Sequence, residues 1–265
     1  MSWDELGFRK GQLAFIVQNY ETNELLTILD NRRQTSIRNY FLKYPLKVRK
    51  QVRFITMDMS GAYIPLARRL FPNAKIILDR FHIIQHLGRA FLRTRIDRMN
   101  QFDKKSLPYR SLKNHWSIFQ KDSRKLSLQP FYSKNFHQTL TPREIVEKTL
   151  RYSQELSHHY NLYQLLLFHF QEKNKRLFFE LIEENMNTVN SYSQTVFRTF
   201  IKYKNYIDNA LEEPYSNAKL EATNKLIKDI KRQGFGFRNF LNFKKRVFIA
   251  LNIKKERTNI ILSRC

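Results

Sequence analysis

The strongest constraint on the fold is a change of hydrophobic period near residue 80. Before it, apolar residues fall in short β-prone runs. Residues 13–19 (LAFIVQN) and 24–29 (ELLTIL) flank Tyr20-Glu21-Thr22-Asn23, which predicts a hairpin. A helical stretch over about 35–44 follows, then a run at 52–57 (VRFITM), a helix over 62–70 and a run at 75–78 (KIIL). Strands that alternate with helices after an opening hairpin predict a mixed sheet in an α/β domain. From about His82 the pattern turns helical and stays so for well over a hundred residues. The expected fold class is therefore α/β, a mixed sheet interrupted by a long all-α insertion and closed by basic helices. The expected boundaries are 1–82, 83–213 and 214–265.

Local chemistry inside the helical stretch is explicit. Thr141-Pro142-Arg143-Glu144 has capping-box order, with Pro in the first helical position and Glu three residues after the cap. Leu156, Tyr160, Tyr163, Leu167 and Phe170 recur at helical steps and predict one apolar face. Val189, Tyr192, Val196, Phe200 and Tyr203 repeat the pattern. Both stripes read as core. Glu212-Glu213-Pro214 ends the block, and a further helix is expected from a cap at Ser216 or Asn217.

Composition narrows the partner. The 265 residues carry a net charge of +25, which favours a polyanion, because each neutralised phosphate releases condensed counterions. Cys265 is the single cysteine, which excludes disulfides and multi-cysteine zinc sites within the chain. No apolar stretch is long enough for a membrane span and no signal-peptide core opens the chain, so the expected location is cytoplasmic, at DNA. Six glycines and the lack of GxxxxGK[ST] fit an NTP-driven motor poorly.

Three carboxylates stand out. Asp58 directly follows a predicted strand, which places it at the mouth of an α/β sheet; by position alone it also suits a cap for the next helix. Asp4 precedes the predicted hairpin, where a first strand would end. Glu221, Asn224 and Lys228 share one helical face, suited to a metal, a base and a phosphate, or simply to solvent. Separated carboxylates around two Mg²⁺ ions make chemical sense for phosphodiester attack without a protein nucleophile.

At these residues the chain resembles a known family. Thr56-Met57-Asp58-Met59-Ser60-Gly61-Ala62-Tyr63, Phe71-Pro72-Asn73-Ala74 and Asp79-Arg80-Phe81-His82 resemble the core of the ISL-three group of insertion-sequence transposases. Ser216-Asn217-Ala218-Lys219-Leu220-Glu221 and the later Lys231-Arg232-Gln233-Gly234-Phe235-Gly236-Phe237-Arg238-Asn239-Phe240 are similar to its terminal signature, and Trp3-Asp4-Glu5 to its first acidic segment. Ala218 and Ala222 depart from the family, which commonly has Gly there. The resemblance implies an RNase H-like fold with Asp4, Asp58 and Glu221 as a DDE triad that holds Mg²⁺ or Mn²⁺, two ions in all. It implies DNA cleavage and strand transfer by a homo-oligomer in a synaptic complex. Asp79 and His82 match a DxxH element and, with Asn224, are possible supporting residues; His82 can equally be a packed histidine in a capped helix start. The family usually carries a zinc-binding and helix-turn-helix region before the first Asp. Asp4 stands too near the start for that, and almost none of the first strand, which is central in this fold, is expected, so a marginally stable sheet is predicted.

The tail is basic. Residues 219–265 contain 13 Lys and Arg against three acidic residues. Lys228, Lys231, Arg232, Arg238, Lys244, Lys245 and Arg246 are expected DNA contacts. Phe240 and Phe243 follow helical spacing and read as core, whereas Phe235 and Phe237 suit either core or base stacking. Two rival readings stand beside the transposase: a nuclease of the same fold that only hydrolyses, and a catalytically dead DNA-binding remnant.

Overall fold

The computed structural model describes residues 1–252. Cys265 and the tail's Lys254, Lys255, Arg257 and Arg264 lie outside the described residues. The chain divides into two compact units. One joins Met1–Asp79 to Glu213–Cys265, and the other is Arg80–Glu212.

The first unit holds strands β1 (Ser2–Arg9), β2 (Gln12–Gln18), β3 (Leu25–Leu29), β4 (Phe54–Met57) and β5 (Lys75–Leu78). They form a five-stranded sheet in the order β3-β2-β1-β4-β5. The pairs β1–β2 and β2–β3 are antiparallel, and β1–β4 and β4–β5 are parallel. The hairpin read at 13–29 is β2–β3. The first strand corrects the sequence reading: β1 is eight residues long, lies centrally, and pairs with β2 from Ser2↔Gln18 to Arg9↔Gln12. Asp4 is inside it, opposite Ile16. SWDELGFR carries a weak strand signal because Asp, Glu and Gly are poor strand formers; two flanking partner strands override that preference.

Helices cover the sheet. On one side α1 (Gln34–Phe41), the short α2 (Leu46–Arg49) and α3 (Tyr63–Leu70) follow the strands in chain order. Trp3 is buried here, stacked on Phe41 at 5.5 Å and edge-on to Phe15 and Phe71. The alternation of a strand turns the next residues the other way. Leu6 and Phe8 join Ile16, Ile28, Leu220, Ile227, Phe243 and Val247 in a second cluster. Each such side chain contributes about 1.5–3 kcal/mol by leaving water. Two late helices close that side, and they bring the tail back to the first strands.

The second unit contains α4 (Arg80–Asn100), α5 (Leu107–Asn114), α6 (Trp116–Gln120), α7 (Pro142–Leu150), α8 (Gln154–Gln171), α9 (Lys175–Glu184), α10 (Ser191–Lys202) and α11 (Lys204–Glu212). The capping box at Thr141 forms as read, with Thr141 and Glu144 exchanging hydrogen bonds. The stripe on α8 is buried as read. Of the stripe read on α10, Val189 and Phe200 are buried and Tyr192, Val196 and Tyr203 are half-buried, and Ser193 and Phe197 complete the buried face. The unit is not all-α. Phe131–Ser133 (β6) and Gln138–Leu140 (β7) form a two-stranded antiparallel ribbon, too short to carry a readable alternation. Among the described residues no helix is long and apolar enough to cross a membrane.

The first unit ends with α12 (Ala218–Gln233) and α13 (Phe240–Asn252).

Candidate active site

The parallel strands bring three aspartates to one level. Ser2 is the partner of Thr56, and Met57 of Leu78. Parallel partners point to the same face, and the period of two carries that face from Ser2 to Asp4 and from Thr56 to Asp58. Asp79 comes one residue after Leu78, level with Asp58, and its N–H continues the ladder by donating to the Met57 carbonyl at 2.8 Å. Asp58 and Asp79 each offer a ligand atom within 4.8 Å of the other. Asp58 does not cap α3, whose cap position is Ala62.

Asp4 and Glu5 separate cleanly. Glu5 turns to the α1–α3 side, where it pairs with Arg32 at 2.8 Å and accepts from the Tyr63 hydroxyl at 2.7 Å. Burial, reinforced by that bond to Glu5, pushes the Tyr63 phenol far above its ordinary range. Asp4 turns to α12, where its Oδ2 accepts from Asn224 Nδ2 at 2.6 Å. Its Oδ1 accepts from the Glu5 N–H at 2.7 Å.

Asn217, Glu221 and Asn224 lie at helical spacing on α12, and both asparagines are tied to the sheet. Asn217 is 1% exposed. It holds the cap position of α12 without a side-chain capping bond. Instead its Oδ1 accepts from the Thr56 hydroxyl at 2.6 Å, and its Nδ2 donates to the Trp3 carbonyl at 3.1 Å. Its backbone N–H points at Asp79 Oδ1, at 3.5 Å. Glu221 is half-buried and lies between Asn217 and Asn224 on α12. Its N–H donates to the Asn217 carbonyl at 2.9 Å. Among the described residues, neither Glu221 nor Asp4 belongs to the group of ligand atoms that gathers Asp58 and Asp79. The sequence reading named Asn217 only as a cap. Its role across the sheet has no local signal, because the partners are 161 and 214 positions away.

The remaining candidates divide. His82 is half-buried in the first turn of α4, three residues after Asp79 along the chain. Lys228, Arg238, Lys245 and Arg246 are exposed. Lys231 is engaged within the protein, donating to the Gly7 carbonyl at 3.0 Å, and Arg232 pairs with Asp229. Lys244 is half-buried beside Thr27, at 3.5 Å, and the Phe248 ring; burial lowers its pKa. Phe243 is core, as read, and Phe237 and Phe240 pack against it.

Phe235 differs from all of these. After α12 the Gly236 N–H donates to Lys231 O at 2.9 Å and the Phe235 N–H to Arg232 O at 3.0 Å, the two bonds of a Schellman stop. The left-handed residue of that stop is usually Gly. Here it is Phe235, at φ 49°, with glycines on both sides. A left-handed L-residue costs about 1 kcal/mol or more. Its ring is fully exposed, so no burial offsets the cost.

Comparison with known proteins gives three findings. A protein-family model described as Transposase, of the DDE type and ISL-three group, matches residues 1–247. A Bordetella parapertussis protein named a transposase for insertion sequence element IS1001 is 23% identical over 260 residues, 90% of this chain and 57% of its own length. A Lactococcus lactis subsp. lactis protein named an ATP-dependent protease is 41% identical over 119 residues, 45% of this chain and 38% of its own. The matches thus span little more than half the length, or less, of these curated relatives. No solved structure matches the chain.

Proposed function

Because the chain belongs to the ISL-three family of transposases, we propose that it cuts and joins DNA by DDE chemistry, with Asp4, Asp58 and Glu221 as the triad on an RNase H-like sheet. The strand order, with three antiparallel strands and two parallel ones on the far side of β1, supports that fold. The division of the chain supports reading 80–212 as a helical insertion between the two parts of the catalytic core. The observation that carries the reading is convergence: residues more than two hundred positions apart meet where Asn224 holds Asp4.

The residues fit a divalent ion. Asp4, Asp58, Asp79 and Glu221 offer hard carboxylate oxygens, which suit Mg²⁺ or Mn²⁺. Asn224 Oδ1 is buried and has no hydrogen-bond donor among the described residues, so it too is an oxygen available to a cation or its water. Asp4, Asp58 and Glu221 would hold the ions, with Asp79 beside Asp58. A bound pair of ions supplies charge stabilisation for the attacking and leaving oxygens of an in-line displacement. The chain's own work is to orient. Asn224 fixes the Asp4 carboxylate, and Asn217 fixes the start of α12 against β1 and β4.

The chemistry has two displacements. Water attacks phosphorus at the element end and the P–O3′ bond breaks, leaving a 3′-hydroxyl and a 5′-phosphate. That hydroxyl then attacks a phosphodiester of target DNA and expels the target's 3′ oxygen. Exposed Lys228, Arg238, Lys245 and Arg246 would meet phosphates along the duplex. Synapsis of two ends calls for a homo-oligomer.

Plasmid nicking and oligonucleotide strand-joining assays test this. Nicking and joining are expected with Mg²⁺ or Mn²⁺ and without ATP, and excess EDTA abolishes both. Nicking without joining favours the hydrolysis-only nuclease. Salt-sensitive binding with neither reaction marks a DNA-binding remnant. Full nicking in EDTA removes the metal from the mechanism.

A further inference from the structure

We infer that Phe235 is a base-stacking platform, which takes an unpaired or unstacked DNA base on its exposed ring. The inference rests on the DNA-handling reading above and adds a contact that the triad does not explain.

Three observations converge on it. The ring is wholly in solvent, while its neighbours Phe237, Phe240 and Phe243 pack together. The backbone that displays it is held by the bonds of the helix stop and by Arg9, whose Nε donates to the Phe237 carbonyl at 3.3 Å. A left-handed position between two glycines is where a foldable sequence places a third glycine, so an aromatic residue there works against the stability of the loop.

Charge identifies the occupant. Arg232 and Arg238 flank the ring in sequence and are exposed. A neighbouring cleft of about 560 Å³ is lined by Arg9, Arg33, Arg238 and the Glu5-paired Arg32, with Asp30 as its one acid among the described residues. An apolar partner would gain nothing from that surround, whereas a nucleic-acid strand places its phosphates on the arginines and a base on the ring. Every base has a flat face, so the contact tolerates sequence. The twelve-residue step along α12 from Glu221 to Gln233 spans roughly 18 Å, so the ring positions DNA at a distance from the carboxylates.

The test compares the parent with Phe235→Gly and Phe235→Trp. Each is titrated by fluorescence anisotropy against a single-stranded thymidine 20-mer and a blunt 20-bp duplex over a range of salt. Phe235→Gly is expected to weaken single-strand binding about five- to a hundredfold, with the salt slope unchanged. It is also expected to melt at or above the parent temperature, since Gly relieves the left-handed residue. Phe235→Trp restores binding, and its emission is quenched as the strand is added.

Single-strand affinity of the Gly variant within twofold of the parent overturns the inference, as does a Trp variant that neither rescues nor quenches. A Gly variant that changes the sedimentation of the DNA-free protein also overturns it and assigns the ring to a protein contact. If the parent itself binds neither DNA, the DNA-handling reading fails first. A parent that binds both, beside an equal Gly variant, removes only the stacking role.

Discussion

In the helical unit half-buried polar side chains at helix starts cap the helices they begin, whereas in the sheet-bearing unit the buried Asn217 at the same position serves other elements only. Asn190 caps α10 through the Ser193 N–H, and its amide donates to Thr94 at 2.7 Å. Ser153 and Asn174 cap α8 and α9 in the same way. Asn217 occupies the matching position of α12 and does not cap it; its amide instead joins β1 to β4. Helix ends are local and can be finished by a neighbour in sequence. A site at the open ends of parallel strands has no such neighbour and must borrow from afar.

The largest expected effect lies at the carboxylates. Asp58→Asn or Glu221→Gln should lower nicking by about a thousandfold or more, roughly 4 kcal/mol in the barrier, with little change in DNA affinity. Glu155→Gln, which removes an ion pair with Arg98 in the helical unit, should leave nicking near the parent rate. Near-parent nicking by either triad variant would exclude that residue from the site.

A smaller effect separates the two kinds of asparagine. Asn217→Ala takes the amide donor from the buried Trp3 carbonyl and leaves the Thr56 hydroxyl with Ser2 Oγ alone, at a cost of about 1–3 kcal/mol. Asn190→Ala loses a cap, at about 0.5–2 kcal/mol. The two tryptophans permit separate readout, since Trp3 lies in the sheet-bearing unit and Trp116 in the helical one. Urea unfolding followed through Trp3 for Asn217→Ala (Trp116→Phe background) and through Trp116 for Asn190→Ala (Trp3→Phe background), each against its own background, should show the larger loss for Asn217→Ala. Equal losses would erase the distinction drawn here.

How much of this was legible in the sequence follows the same division. The Thr141 capping box, the α8 stripe and the β2–β3 hairpin are written in residues a few positions apart, and local rules read them. The place of Asp58 at a strand end was legible because the run 52–57 visibly precedes it. Strand β1 was not, since its stability comes from partners on both sides. Asn217 looked like a cap because its spacing is that of a cap. Lys244 counted as a phosphate contact by charge alone, and only the packing of α13 on β3 half-buries it.

Acid should loosen the helical unit in particular. His159 is buried, with Nδ1 against the Glu155 carbonyl and Nε2 accepting from the Asn190 N–H at 3.1 Å. Burial lowers its pKa, and burial lowers that of His115 as well. A folded pKa below the unfolded value of about 6.5 favours the neutral ring. That stabilisation is complete above about pH 6.5 and is lost as pH falls from there through the folded value. Thermal melts followed through Trp116 between about pH 7.5 and 5 should fall, and His159→Gln should flatten the decline. A pH-independent helical unit would contradict it.

The smallest effect concerns salt. Replacing Lys244, Lys245 and Arg246 by Gln should flatten the salt dependence of DNA binding by about two ion equivalents instead of three, because Lys244 is turned toward Thr27. A Lys244→Gln variant with a slope reduced by one would show that its amine reaches phosphate after all.

Asn217 also sets a clock. Its hydroxyl partner Thr56 is made 161 residues earlier, and Asp4 waits still longer for Asn224. At bacterial synthesis rates that interval is on the order of ten seconds or more. During it the ribosome has delivered the strands and their aspartates but not the helix that orients them. A nascent chain therefore lacks the contacts of Asn217 and Asn224 until α12 emerges, and the order of synthesis itself delays closure of this core.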